Sequence, residues 1–329
     1  MLKIGIIGSG LIAETHATNL LRLDGVSISG AFDTNGDRAR DFTASHGGKV
    51  FGEIDDMLAE SDAVYVCTPP QFHREPVVKA ALAGVHVFCE KPLAVTVSDC
   101  VAMKDAVERS RILFMIGFNM RFSEAFSAVK PIVGGGELGP ILSFWGVRNL
   151  WLPHSPPNWR TNRDLICGMT IESLSHDFDI LHWVAGDVES VMGRISTSRP
   201  DLPGYDNITS ASMVLTSGAL ANIHSTWASH VDFVSYGIVG EAGSIAFDWN
   251  DCRIKLANEQ TERRFSFPKI DGGKPSHQLE SEHFISCLKT GQMPSIGIND
   301  GVATVEISDA VLRSSSSGRA VHLSGYNEN

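Results

Sequence analysis

The stretch LKIGIIGSGLIA, residues 2–13, decides the fold. Residues 2–7 are a short apolar run that stops at glycine, the signature of a buried strand. G-x-G-x-x-A follows at 8–13, and a helical pattern continues through Leu21. Strand, glycine turn and helix in that order are what a dinucleotide-binding turn requires. Gly8 permits the tight turn, Gly10 lets backbone approach a pyrophosphate, and small Ala13 lets helix and strand pack closely. The helix N-terminus then presents free N–H groups to phosphates. A purely structural glycine turn is the alternative. The flanking strand and helix, with Asp33 beyond them, favour the cofactor reading for Gly8, Ser9, Gly10, Leu11 and Ile12.

Asp33 closes a second strand at 26–32 and is followed by Thr34. A carboxylate there can accept hydrogen bonds from the adenosine ribose and would repel a 2′-phosphate, so NAD is preferred. NADP stays open because Arg38 could reach a phosphate.

Outward from this unit, apolar strands and helical segments alternate. Residues 36–46 read as helix, and 63–67 as a strand running into Thr68-Pro69-Pro70. A helix around Val77–Leu82, a strand at 85–89, a helix at 96–109 and a strand at 112–117 follow. That alternation predicts a Rossmann-type, doubly wound parallel sheet over residues 1–121. The pattern changes after about residue 121, and residues 122–329 read as a second domain. Its strand-like runs, punctuated by Gly, Asn and Asp between 188 and about 267, predict an antiparallel sheet. Residues 276–290 and 299–314 read as helices. Gly134–Gly139 also satisfies G-x-G-x-x-G, yet it follows a helix and precedes a strand, so it reads as a helix stop and loop.

Composition narrows the class. The chain has 329 residues, 43% hydrophobic and 20% charged, with a net charge of -11. It can bury sizeable cores, and its acidity argues against nucleic acid and anionic membrane as partners. No stretch approaches a membrane span, and the apolar run at the N-terminus is too short for a signal peptide. The 6 cysteines are scattered and form no C-x-x-C pair, which suggests a reducing compartment. Cys89 and Cys167 read as packing residues. The expectation is a soluble, cytoplasmic protein.

Two further places carry candidate chemistry. In Cys89-Glu90-Lys91-Pro92-Leu93, Lys91 follows a strand directly and so lies at the C-terminal edge of the parallel sheet, where ligands bind in such folds. Pro92 restricts the residue before it. A lysine there can hydrogen-bond a hydroxyl and stabilise alkoxide character, although a lone loop lysine is more often solvated. In GMTIESLSHDFDILHW, 168–183, a helix at about 100° per residue puts Ile171, Leu174, Phe178, Leu181 and Ala185 on one face. Glu172, His176 and Asp179 fall in a stripe opposite, with Trp183, while His182 lies off it. Glu172 and His176 are i,i+4 neighbours. On the residues alone, a solvated polar face is the leading reading and a metal site the weaker one. The spacing lacks H-E-x-x-H, and no metal is expected.

These motifs together resemble the glucose–fructose oxidoreductase / inositol dehydrogenase (Gfo/Idh/MocA) family over nearly the whole chain. The resemblance is carried by GIIGSGLIA at 5–13, CTPPQFHREPVVKAALAGVHVFCEKPLA at 67–94, GFNMRF at 117–122 and NWR at 158–160. SHDFDILHWVAG at 175–186, GEAGSI at 240–245 and INDGVATVEISDAVLRSS near the end add to it. It implies an N-terminal Rossmann domain and, over 122–329, an α/β domain with a large open, mostly antiparallel sheet for substrate binding and oligomerisation. It also implies a nicotinamide-dependent oxidation of a sugar, inositol or polyol, or reduction of a ketone. Lys91 matches the family's E-K-P lysine and His176 its catalytic histidine. Glu172 stands where the family usually has aspartate, one methylene shorter. The glycine run before that helix is reduced to Gly168. His73 matches a residue near the cofactor.

The reading therefore assigns catalysis to Lys91, His176 and Glu172. Cofactor contacts extend from the glycine turn to Asp33, Thr34, Arg38, Thr68, Pro69, Pro70, His73, Glu90 and Lys91. Substrate contacts fall to Lys91, Arg121, Trp159, Arg160, Glu172 and His176, with Trp as an apolar platform and Arg as a forked donor. The expected reaction is hydride transfer between the cofactor and a secondary hydroxyl. An NAD-dependent glycosidase and a non-catalytic NAD- and sugar-sensing regulator are the rival readings. Specificity is expected in the loops around 150–167 and 200–207, and a homodimer or homotetramer would suit a large open sheet.

Overall fold

The computed structural model describes residues 1–154, 159–267 and 275–323. The chain packs into two compact units, Met1–Phe122 with Lys274–Val302 and Ser123–Gly273 with Ala303–Asn329.

The first unit follows the alternation of the sequence. In chain order it holds β1 (Leu2–Ile7), α1 (Leu11–Leu20), β2 (Val26–Phe32), α2 (Gly36–His46), β3 (Lys49–Val50) and α3 (Ile54–Leu58). Then come β4 (Ala63–Val66), α4 (Arg74–Leu82), β5 (His86–Cys89), α5 (Val97–Ser110) and β6 (Phe114–Ile116). Among the described residues its sheet has six strands in the order β3-β2-β1-β4-β5-β6, and the pairs are parallel. That is the doubly wound order, with its switch point at β1 and β4. The strands are buried on both faces, so they read as unbroken apolar runs: all four residues of β4 are buried. The short β3 and α3 carry too little periodicity to be foreseen.

The second unit holds α6 (Glu124–Gly134), β7 (Ile141–Trp151), α7 (Gly168–Glu172), α8 (Leu174–Ala185), β8 (Val188–Ser196), β9 (Ile208–Leu215) and β10 (Leu220–Thr226). β11 (Ala228–Gly240), β12 (Gly243–Phe247), β13 (Asp251–Leu256) and β14 (Arg263–Ser266) follow. Beyond α9 (Ser276–Thr290) come α10 (Ile298–Ser317) and β15 (Val321–His322). The described sheet has nine strands, β14-β13-β12-β11-β7-β10-β9-β8-β15. Its pairs are antiparallel except β10 with β7. Burial alternates along β9 and β13, as expected where one face is covered and the other is not. α10 covers that face closely at β8: a Cβ on Gly193 would come within 2.9 Å of Val311.

Two expectations change here. The sequence reading divides the chain once, at 121–122, whereas α9 belongs with the first unit. Its Phe284 ring lies 5.8 Å from both Tyr65 and Phe88 of the parallel sheet. The expected single helix over 168–183 is two helices, broken at Ser173. Its polar stripe is not a solvated face, because Glu172 is 6% and Asp179 0% exposed.

Candidate active site

In the first unit the glycine turn has the shape the sequence implies. Gly8 has φ +89°, and a Cβ there would meet the Thr68 backbone nitrogen at 2.8 Å. This close approach of the β1 turn to the end of β4 admits no other residue without strain. Gly10 has open space where a Cβ would stand, and α1 begins with no side-chain cap. Its first N–H groups are thus left for an anion. Among the described residues, Ser9 Oγ and Thr68 Oγ1 beside this turn are buried without a hydrogen-bond partner. The Asp33 carboxylate is fixed in place by the N–H groups of Ser9 and Asn35, each at 2.8 Å. The Asn35 side chain accepts from the N–H groups of Asp37 and Arg38, capping α2. Thr34 and Arg38 are exposed. An uncapped helix, an open cradle at Gly10, orphaned hydroxyls and an anchored carboxylate together fit a dinucleotide.

Lys91 follows β5 and is half-buried. Its backbone is held from both sides. The Lys91 N–H donates to Glu90 Oε2 at 3.1 Å. The ring of His73 brings Nδ1 to the Pro92 carbonyl at 3.0 Å and Nε2 to the Thr68 carbonyl at 2.8 Å. His73 is 0% exposed. It has no free surface to offer a cofactor and instead ties the Lys91 turn to the end of β4. Two carbonyls can only accept, so this geometry favours an imidazolium. Burial opposes that and lowers the His73 pKa, and it outweighs the carbonyls of Thr68, Leu93 and Pro92 and the charge of Glu90. Pro69 is half-buried and Pro70 buried.

Glu90 is 7% exposed, and its Oε1 accepts from His16 Nε2 of α1 at 2.8 Å. Burial pushes the Glu90 carboxyl up, but the His16 hydrogen bond and nearby His16, Lys91 and His277 hold it below the usual range. Arg121 is buried, with Nη2 on Asp300 Oδ1 at 2.7 Å, while Asp300 Oδ2 accepts from the Gly297 N–H. That pair anchors the start of α10.

In the second unit Glu172 ends α7, and His176, half-buried, sits in the first turn of α8. Glu172 Oε1 accepts from Arg160 Nε at 2.7 Å and Nη2 at 2.6 Å. The Arg160 guanidinium lies 4.4 Å from the centre of the Trp159 ring. Trp159 and Arg160 are half-buried on a single 3₁₀ turn. Asn158 of the NWR motif, with the rest of 155–158 in the expected specificity loop, lies outside the described residues. The other expected loop, 200–207, ends in buried Tyr205, Asp206 and Asn207.

Sequence reasoning missed several neighbours. His154 Nδ1 lies 2.9 Å from Tyr205 Oη, and its ring stands edge-on to Trp227 at 4.7 Å. Burial, then the charge of Arg160, pushes the His154 pKa down against the pull of Glu172. Asp206 Oδ2 accepts from the Thr170 N–H at 2.9 Å and its hydroxyl at 2.6 Å. This explains Gly168: a Cβ there would lie 1.7 Å from Asp206 Oδ1. Asp177, adjacent to His176 in the sequence, is fully buried against Arg148 and Tyr236. These residue types were visible in the sequence, but their pairing across 29 or more positions was not.

Residues 2–118 match the description "Oxidoreductase family, NAD-binding Rossmann fold", and residues 126–246 match "GFO/IDH/MocA C-terminal domain". The chain belongs to the Gfo/Idh/MocA oxidoreductase family. Its first unit is accordingly an NAD-binding Rossmann fold. Among its relatives, the myo-inositol 2-dehydrogenase of Thermotoga maritima is 29% identical over 336 residues, covering 98% of each chain. The 1,5-anhydro-D-fructose reductase of Ensifer adhaerens is 25% identical, over 98% of this chain and 99% of that one. A levoglucosan dehydrogenase in complex with NADH and levoglucosan superposes with a TM-score of 0.90 over 98% of this chain and 99% of that one, at 23% identity, which speaks to fold alone. Among the described residues of this Gfo/Idh/MocA chain, no group of three or more His, Cys, Asp and Glu could hold a metal. No helix among them is long and apolar enough to cross a membrane.

Proposed function

We propose that the protein is an NAD-dependent dehydrogenase acting on a secondary hydroxyl of a sugar, inositol or related polyol. The observation that carries this reading is the mounting of Lys91. It stands at the C-terminal edge of the parallel sheet, its backbone fixed by Glu90 and by the His73 clasp on Pro92. So anchored a lysine suits one task at one place better than a solvated charge does.

When bound, NAD supplies the hydride acceptor. Asp33 holds the adenosine ribose, and the N-terminus of α1 with Ser9 and Thr68 holds the phosphates. Lys91 hydrogen-bonds the reacting oxygen and favours its alkoxide character. His176 takes the hydroxyl proton as general base, and gives it back when a ketone is reduced. Glu172, tied to Arg160, orients the substrate and supports the charge that develops on His176. Trp159 and Arg160 offer a ring face and a forked donor to a polyhydroxylated ring. The preference for NAD over NADP rests on Asp33, with Arg38 the group that would admit NADP.

A homo-oligomer belongs to the same reading. It is supported by exposed Leu142, Met192, Leu220 and Phe233 on strands of the large sheet, and light scattering tests it. A reducing, cytoplasmic setting is supported by the free state of the six described cysteines.

The test mixes the purified protein with NAD or NADP and a panel of inositols, aldoses and anhydrosugars at alkaline pH, following the reduced-nicotinamide absorbance. NAD reduction by one of them, reduced at least about a hundredfold in Lys91→Ala, is the expected result. Near-normal turnover in that variant would sink the assignment of Lys91. Silence across the panel with NAD bound tightly would sink the dehydrogenase.

A further inference from the structure

We infer that Arg148 is a positioning residue that sets Glu172 and His176 relative to each other. The inference rests on the assignment of those two residues above. They flank a single break: α7 ends on Glu172, α8 begins at Leu174, and Ser173 lies between. Any rotation at Ser173 turns one of the two side chains against the other.

Arg148 grips that junction. It lies on β7, a central strand of the large sheet, with its side chain 7% exposed. Nη2 donates to the Ser173 carbonyl at 2.7 Å and to Ser173 Oγ at 2.9 Å. The same carbonyl accepts the His176 N–H at 3.3 Å. Nε donates to both oxygens of Asp177 at 3.1 Å. Asp177, one residue past His176 and 0% exposed, also accepts from Tyr236 Oη of β11 at 2.7 Å. On the other side of the break, Ser175 Oγ donates to the Glu172 carbonyl at 2.9 Å. A single planar guanidinium thus reaches both the carbonyl at the break and the carboxylate in the next turn. Strand β7 supplies a rigid base, since Ser225 Oγ holds the Arg148 carbonyl at 2.6 Å.

Stability alone is a weak reason for such a group. A buried ion pair is often matched or bettered by apolar side chains of similar volume. Two of the five hydrogen bonds the Arg148 side chain donates go to Ser173 and not to its charge partner, which is where a mount for the junction would place them. Misplacing a catalytic group by about 1 Å can cost about a hundredfold in rate.

The test removes both charges together, so that neither is left buried alone. In Arg148→Met/Asp177→Asn, NAD affinity and the melting temperature are expected to stay near those of the parent. Turnover should fall about ten- to a hundredfold with KM for the polyol changed less than about threefold. The imidazole signals of His176, identified in ¹⁵N NMR by their loss in His176→Gln, should shift in the double variant. A structural pair without a positioning role would lower the melting temperature and leave kcat per NAD-binding site and the His176 signals alone. If the double variant does not fold, Ser173→Ala and Tyr236→Phe each remove one hydrogen bond. Each is expected to lower kcat at least about threefold and to move the His176 signals. Unmoved signals in every folded variant overturn the role of Arg148. Moved signals in a parent protein that turns over no polyol would leave it standing and overturn the dehydrogenase reading instead.

Discussion

His16 of the dinucleotide helix and Glu90 of the E-K-P motif are joined by a buried hydrogen bond, Nε2 to Oε1 at 2.8 Å. The bond crosses 74 positions of sequence and links α1, which follows the glycine turn, to the turn that carries Lys91. His16 is 0% exposed. Removing one side of such a pair leaves the other desolvated. His16→Leu should therefore cost about 3 kcal/mol in urea unfolding, and a loss under about 1 kcal/mol would show that the pair is incidental.

That bond also has a pH signature. The folded Glu90 pKa lies below its ordinary value. A carboxylate so shifted contributes stability that is present above the unfolded pKa of about 4.3 and is lost as pH falls through the folded value. The acid limb of the stability curve should therefore be shallower in His16→Leu than in the parent, measured as midpoint against pH between about 5 and 3.

Glu280 of α9 should behave in the opposite sense. It is fully buried, and among the described residues both its carboxylate oxygens lack a partner. Burial first, then the charge of Glu90, raises its pKa well above the ordinary value. A raised carboxyl gives stability that is complete below its unfolded pKa and declines as pH rises toward the folded one. Glu280→Gln cannot ionise. It should match the parent near pH 4 and exceed it by about 1–2 kcal/mol near pH 8. Equal melting temperatures at both ends would mean that this carboxyl is ionised and solvated in the native state.

Asp33→Ala tests the cofactor site. The carboxylate is already oriented by two backbone N–H groups, so it would meet a ribose without reorganisation. Loss of charged hydrogen bonds should weaken NAD about ten- to a hundredfold by calorimetry and narrow the gap to NADP. An NAD affinity changed by less than about threefold would remove Asp33 from the site.

Gly168→Ala is expected to be among the most damaging single-methyl changes in the chain. Its φ is +76°, and the new Cβ would fall 1.7 Å from Asp206 Oδ1. Strain and displacement of Asp206 from Thr170 together predict a loss of at least about 2 kcal/mol in denaturant unfolding. A variant as stable as the parent would mean that α7 begins differently.

The parts of this molecule legible in its sequence are those decided locally. Strand, turn and helix at 2–20 announce themselves because Gly8, Gly10 and Ala13 each answer a demand of that one turn. The apolar runs of β1, β4 and β5 show a sheet covered on both faces. The break at Ser173 was invisible in the sequence, and Arg148, which hydrogen-bonds its carbonyl, lies 25 residues away. Helical periodicity counted Asp177 as neither stripe nor core, although it is fully buried. Periodicity shows that 276–290 is a helix and cannot say which core it covers. For the candidate site, the residue types at Lys91, Glu172 and His176 were readable, while the supports at Glu90, His73 and Arg148 were not, since each acts through a partner distant in sequence.

The return of α9 to the first unit bears on how this chain comes off the ribosome. An emerging dinucleotide domain that has only residues 1–122 lacks Phe284, so the Tyr65 and Phe88 rings that receive it would face water. That domain cannot close until nearly all of the 329 residues have been synthesised. Residues 123–273 of the second unit lie between its two pieces in the sequence and are translated before the first is finished, while the remainder of the second unit, from Ala303, follows it. Folding in order of synthesis, the usual course for a chain of consecutive domains, is therefore closed to it, and the nascent Rossmann sheet would present a sticky apolar face for as long as that takes.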